Sequence, residues 1–184
     1  MFNKLKFSNK FSMKKSAIEI LLLLFVAITV LNFGGCCGYS FTGASVPPHL
    51  KSIAIPVAED RSGSGEPGLR ESFTEKLTRF FIDDNSLEVA DRTNADAIVE
   101  CSIVSLTSAP AVITGGETVS SLRISISVKA VYRDLVERKT VFDKNFSNYG
   151  DYAASGSFED RRAAIETALE RIAEDILLET VSGW

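Results

Sequence analysis

Cys36 and Cys37 directly follow Gly34-Gly35, and small residues before a cysteine are what a lipoprotein signal peptidase requires. The chemistry on offer is thiol acylation. The pattern resembles a bacterial lipobox, in which the cysteine sulfur is diacylated, the peptide bond before it is cut and the chain hangs from a membrane by its acyl chains; an uncleaved anchor or a conventional secretory signal is the alternative. Gly34-Gly35 favours Cys36 as the modified residue, because cleavage before Cys37 puts Cys36 where Gly, Ala or Ser is expected. Cys37 is the alternative. Upstream, Lys4, Lys6, Lys10, Lys14 and Lys15 form a positive segment ahead of an apolar run at residues 20–31. As a helix, residues 20–33 span about 21 Å against a hydrocarbon core of about 30 Å, which is short for a transmembrane span. Phe33 departs from the Leu, Val or Ile usual three positions before the cysteine.

The rest of the chain offers little for catalysis. The single histidine, His49, adjoins Pro47-Pro48 in what reads as a linker, and no metal-ligand set occurs at usable sequence spacing. Gly63-Ser64-Gly65-Glu66-Pro67-Gly68 matches G-x-G-x-x-G between a strand and a helix. A dinucleotide loop aims backbone N–H groups at pyrophosphate, but here Pro67 removes a donor and Glu66 sets a carboxylate among them. The acid pairs Glu59-Asp60, Asp83-Asp84 and Glu159-Asp160 flank turns and helix ends, where carboxylates cap and solvate. No enzyme, metal or cofactor is expected beyond the covalent lipid.

Two features suit binding instead. Arg123, Lys129 and Arg133 are separated by even spacings, so on a strand they share a face and can form an anion-binding patch; Lys144 is a candidate to join from the facing strand. The apolar residues Ala111, Val112 and Ile113 precede Gly115-Gly116 in what reads as a long loop, 109–121, a candidate partner contact.

Composition narrows the partners. Residues 1–35 carry five of the 20 basic residues and one of the 24 acids, leaving 15 against 23 and a formal charge of −8. Such a surface repels nucleic acid. Cys101 lies in an apolar run and reads as a core thiol.

The elements that must hold these residues follow from periodicity. Residues 50–58 alternate as a strand, and a helix from near Pro67 carries Leu69, Phe73, Leu77, Phe80 and Phe81 on one side. A short edge strand at 87–89 precedes a longer strand at 97–109, whose apolar parity switches near residue 104 and implies a bulge. Residues 122–132 and 140–149 read as a hairpin, and Ser157-Phe158-Glu159-Asp160 opens a final helix as a capping box. The order β-α-β-β-β-α predicts an α+β two-layer sandwich: a mostly antiparallel sheet of about four strands with two helices on one face. The organisation is a signal peptide (1–35), a lipidated tether (36–49) and one domain (50–184).

The chain resembles the LptE family of lipopolysaccharide-assembly lipoproteins. The resemblance rests on Cys37-Gly38-Tyr39-Ser40-Phe41, Leu50-Lys51-Ser52-Ile53-Ala54-Ile55-Pro56 and Glu59-Asp60-Arg61-Ser62. It continues through Ala95-Asp96-Ala97, Val131-Tyr132-Arg133-Asp134 and Thr180-Val181-Ser182-Gly183-Trp184. It implies acylation at Cys37, an outer-membrane, periplasm-facing location and no enzymatic activity. It also implies binding and plugging of an LptD-like outer-membrane β-barrel, help in its assembly, and a role in lipopolysaccharide transport. It assigns no lipopolysaccharide-contacting residue. The strand Ile53-Ala54-Ile55-Pro56 with its Ser/Gly loop also resembles secretion-channel and transporter-auxiliary lipoproteins.

Overall fold

The computed structural model describes residues 46–114 and 118–182. Two short strands, β1 (Ser52–Ala54) and β2 (Glu59–Asp60), precede helix α1 (Leu69–Asp84). Then come β3 (Glu88–Val89), the long strands β4 (Ala97–Thr114), β5 (Thr118–Asp134) and β6 (Lys139–Ala153), and helix α2 (Phe158–Ser182).

Each helix forms where local chemistry demands it. In α1 the buried residues Leu69, Phe73, Leu77 and Phe81 recur every four positions and so line one face. Gly68 (φ 72°) starts it and Asn85 (φ 55°) ends it, two residue types that tolerate the left-handed region. Helix α2 begins with the expected box. Ser157 donates its N–H (2.7 Å) and O–H (2.8 Å) to the Asp160 carboxylate, and the Asp160 N–H returns to Ser157 Oγ at 3.2 Å. Those bonds, the Ser157 N–H foremost, hold the Asp160 pKa below the ordinary carboxylate value. The cap is therefore complete above the unfolded-state carboxylate pKa and is lost as pH falls through the lowered one. Replacing Ser157 by alanine is expected to cost about 1 kcal/mol, measured by urea denaturation.

The sheet corrects the four-strand expectation. It has six strands in the order β3-β1-β4-β5-β6, with β2 also pairing β4. Only β4–β5 and β5–β6 are antiparallel; β1 pairs β3 and β4 in parallel, and β2 pairs β4 in parallel. Asp96 fixes the start of the parallel part. Its Oδ2 accepts the N–H groups of Lys51 (3.0 Å) and Ser52 (3.1 Å) and the Ser52 hydroxyl (3.0 Å).

Ile124, Ile126, Val128, Ala130 and Tyr132 of β5 are fully buried, and Val99, Cys101 and Ile103 of β4 join them. Ile165, Leu169, Ile172 and Ile176 of α2 and the α1 stripe belong to the same core. The ladder slips between Ile103 and Ser105, leaving Val104 bulged and 40% exposed, where the parity change implied it. Of the segment read as a loop at 109–121, the described residues 109–114 and 118–121 are strand instead. Strands β4 and β5 run on to Thr114 and from Thr118 as one extended hairpin. Its distal half is held by ladder pairing with two further register shifts, at 110–113. In the sequence, Pro110 and the apolar run Ala111-Val112-Ile113 break the alternation that makes a strand visible.

Candidate functional site

The outer face of β5, turned away from the helices, carries Arg123, Lys129 and Arg133 with side chains 39%, 45% and 44% exposed. Strand parity puts all three on this face, but a strand rises about 3.3 Å per residue, so Arg123 stands about 20 Å from Lys129. Arg123 is committed locally. Its guanidinium makes two bonds to the Asp151 carboxylate (2.7 and 2.8 Å) and lies 3.6 Å over the Tyr149 ring. The Asp151 bond raises the Arg123 pKa and lowers that of Asp151. Lys144 does not join this face. It lies opposite Ala130 on the helix side, where its ammonium bonds Glu179 of α2 at 2.5 Å.

Lys129 and Arg133 line a cleft of about 370 Å³ with Arg61, Arg92, Glu59 and Glu100. Strand β2 and the turn before β4 deliver Arg61 and Arg92, which sequence periodicity could not place there. Arg133 and Arg92 share the Glu100 carboxylate at 2.8 and 3.3 Å, so two guanidiniums face one acid. Arg61 pairs with Glu59 at 2.5 Å, and Lys129 with Asp143 at 3.1 Å. Four cations are thus matched by three carboxylates, Glu59, Glu100 and Asp143, which leaves a small local positive excess on an acidic protein. Arginine pairs of this kind suit phosphate, which the fork of N–H donors grips bidentately.

Ala111, Val112 and Ile113 lie in β4 near the end of the long hairpin, with Val112 opposite Ser121 and Ile113 opposite Val119. Cys36 and Cys37 lie outside the described residues. Cys101 is buried with a free thiol, and burial pushes its pKa up to about 12, far from a nucleophile's range. The G-x-G-x-x-G loop does lead into a parallel β1–α1–β3 crossover. Its Glu66 carboxylate, however, accepts a 2.7 Å bond from Arg161 of α2. The loop is thus tied to the second helix through the position a phosphate would take. Among the described residues no helix is long and apolar enough to cross a membrane.

A search of curated proteins gave no match. Among solved structures, the hypothetical protein CT253 from Chlamydia trachomatis is similar with TM-score 0.57 and 13% identity, over 73% of this chain and 99% of that one. Protein XCC0632 from Xanthomonas campestris is similar with TM-score 0.55 and 15% identity, over 74% of this chain and 90% of that one. At such identities these likenesses support the α+β fold alone. The sequence matches the LptE lipopolysaccharide-assembly family over residues 50–180, which takes in every strand, α1 and all but the end of α2, and the chain accordingly belongs to that family of envelope lipoproteins.

Proposed function

We propose that the protein is an outer-membrane lipoprotein facing the periplasm, anchored through an acylated Cys36 or Cys37. It binds and plugs an LptD-like β-barrel, aids its assembly, and helps deliver lipopolysaccharide to the outer leaflet. Its work is holding and positioning, without catalysis. The family match supports the general role. The observation that carries the lipopolysaccharide step is the cleft in which Arg61, Arg92, Lys129 and Arg133 converge. A lipid A phosphate entering it would replace the shared Glu100 carboxylate as partner of Arg92 and Arg133, at little cost because exposed ion pairs are worth about 1 kcal/mol or less. Arg123, locked to Asp151, plays a lesser part. The distal hairpin around Ala111, Val112 and Ile113 is the segment offered to the barrel.

The test is charge reversal. The variant Arg92→Glu/Lys129→Glu/Arg133→Glu is expected to bind lipopolysaccharide roughly 10- to 100-fold more weakly. Its melting temperature should barely move, since these side chains are 67%, 45% and 44% exposed. Arg123→Glu is expected to change affinity by less than about threefold, on the order of the small energies of exposed pairs. Unchanged affinity in the triple variant rejects the cleft as the binding site.

A further inference from the structure

The chain's one histidine sits where the start of the domain meets the turn between β5 and β6. His49 Nε2 lies 2.7 Å from Oδ2 of Asp134 and 3.9 Å from Oε1 of Glu137. The three atoms fall within 4.8 Å of one another. Asp134 ends β5 and is fully buried, while Glu137 lies in the four-residue turn that follows. Each carboxylate is held from behind. The Glu137 N–H donates to Asp134 Oδ1 at 2.7 Å, and Lys139 Nζ donates to Glu137 Oε2 at 2.6 Å. The other two oxygens are left turned towards the same imidazole nitrogen. Outer donors that fix ligand carboxylates while an inner set converges is the arrangement of a metal site.

We propose that His49, Asp134 and Glu137 bind a divalent transition-metal cation, zinc foremost, with water as the fourth ligand. Tetrahedral zinc with bonds of about 2.0–2.2 Å holds its ligand atoms roughly 3.3–3.5 Å apart. His49 and Asp134 therefore separate by about 0.6 Å, while Glu137 closes by about 0.6 Å on the imidazole nitrogen and by up to about 1.4 Å on the Asp134 oxygen. Those shifts fall on the mobile partners. The Glu137 and His49 side chains are 48% and 31% exposed, whereas Asp134 is fixed. The imidazole favours zinc-like ions over calcium and magnesium, which prefer all-oxygen sites. Bound metal would clip residues 46–50 to a turn 85 positions away along the chain. The rival occupant is a proton, with an imidazolium simply ion-paired to both acids.

The experiment uses the full chain in detergent, without a polyhistidine tag and stripped with chelator. Zinc at about a hundredfold excess over its dissociation constant is expected to raise the melting temperature by roughly 5–10 °C. Cobalt(II) should give visible d–d absorption that zinc abolishes. The metal concentration needed for either response should rise at least tenfold in His49→Gln and in Glu137→Gln. These two side chains are accessible, so their variants keep the test readable even where a change at buried Asp134 prevents folding. No zinc shift and no cobalt spectrum would leave the proton as occupant and overturn the site. An undiminished zinc response in His49→Gln, or near-ultraviolet cobalt–thiolate bands, would put the ion elsewhere and overturn it equally.

Discussion

Replacing Gly150 by valine is expected to destabilise the domain by about 3 kcal/mol or more, lowering its melting temperature by roughly 10 °C. Gly150 lies in β6 opposite Ile124, on the side of the sheet covered by α2. A Cβ at this position would come 2.0 Å from the Ala164 carbonyl oxygen, 2.7 Å from its carbon and 2.8 Å from the Ala164 Cα. All three are helix backbone, which has no rotamer to yield. Helix α2 would have to lift by more than about 1 Å, opening the layer that buries Ile165, Ala168 and Leu169. Alanine at the same position meets the same three atoms and should lose most of that stability. A valine at Ser147, which lies on the opposite face of β6 beside Ser127, should cost less than about 1 kcal/mol and serves as the control. Thermal melts of the three variants check the expectation. A Gly150→Val protein as stable as the parent would mean that α2 does not lie this close to β6.

The second large effect concerns attachment. With Cys36 and Cys37 both replaced by serine, palmitate labelling is expected to be lost completely and residues 1–35 to stay uncleaved, since no thiol remains to acylate and the cut follows acylation. Each buried methylene contributes about 0.8 kcal/mol to membrane binding, so in the cleaved parent the lipid outweighs any surface contact of an acidic domain. The single variants identify the acylated sulfur. Cys36→Ser should retain palmitate labelling if Cys37 is the site, and Cys37→Ser if Cys36 is. Labelling that persists in the double variant would remove thiol acylation from the account.

Much of the fold was legible because it is local. The four-residue spacing of Leu69, Phe73, Leu77 and Phe81 announced α1, and Ser157 with Asp160 announced the start of α2. Strict alternation from Ile124 to Tyr132 gave the central strand, and the switch of parity gave the bulge at Val104. The parallel pairings stayed hidden for the opposite reason. Strands of two or three residues hold too few side chains to show a period, and what they pair with depends on contacts far along the chain. The distal hairpin was missed because Pro110 and the run Ala111-Val112-Ile113 break the alternation of a strand, while backbone pairing holds the two strands together.

The candidate sites divide along the same line. Parity correctly put Arg123, Lys129 and Arg133 on the outer face, yet only Lys129 and Arg133 line the cleft. Arg61 and Arg92 reach it through β2 and the turn before β4, and Lys144 faces the helices instead. His49 read as part of a tether, but the chain's return at Asp134 and Glu137 brings both carboxylates to its ring.

By itself the sequence determined what repeats or touches at short range: the helices and their caps, the faces of β5, the acidic balance and the cysteines available for a lipid. Tertiary structure alone decided which distant residues meet: the parallel strands at Ser52–Ala54, the convergence of Arg92 with Arg133 on Glu100, and the gathering of His49 with Asp134 and Glu137. Periodicity fixes which way a side chain points, but only the packing of the whole chain fixes what stands opposite it.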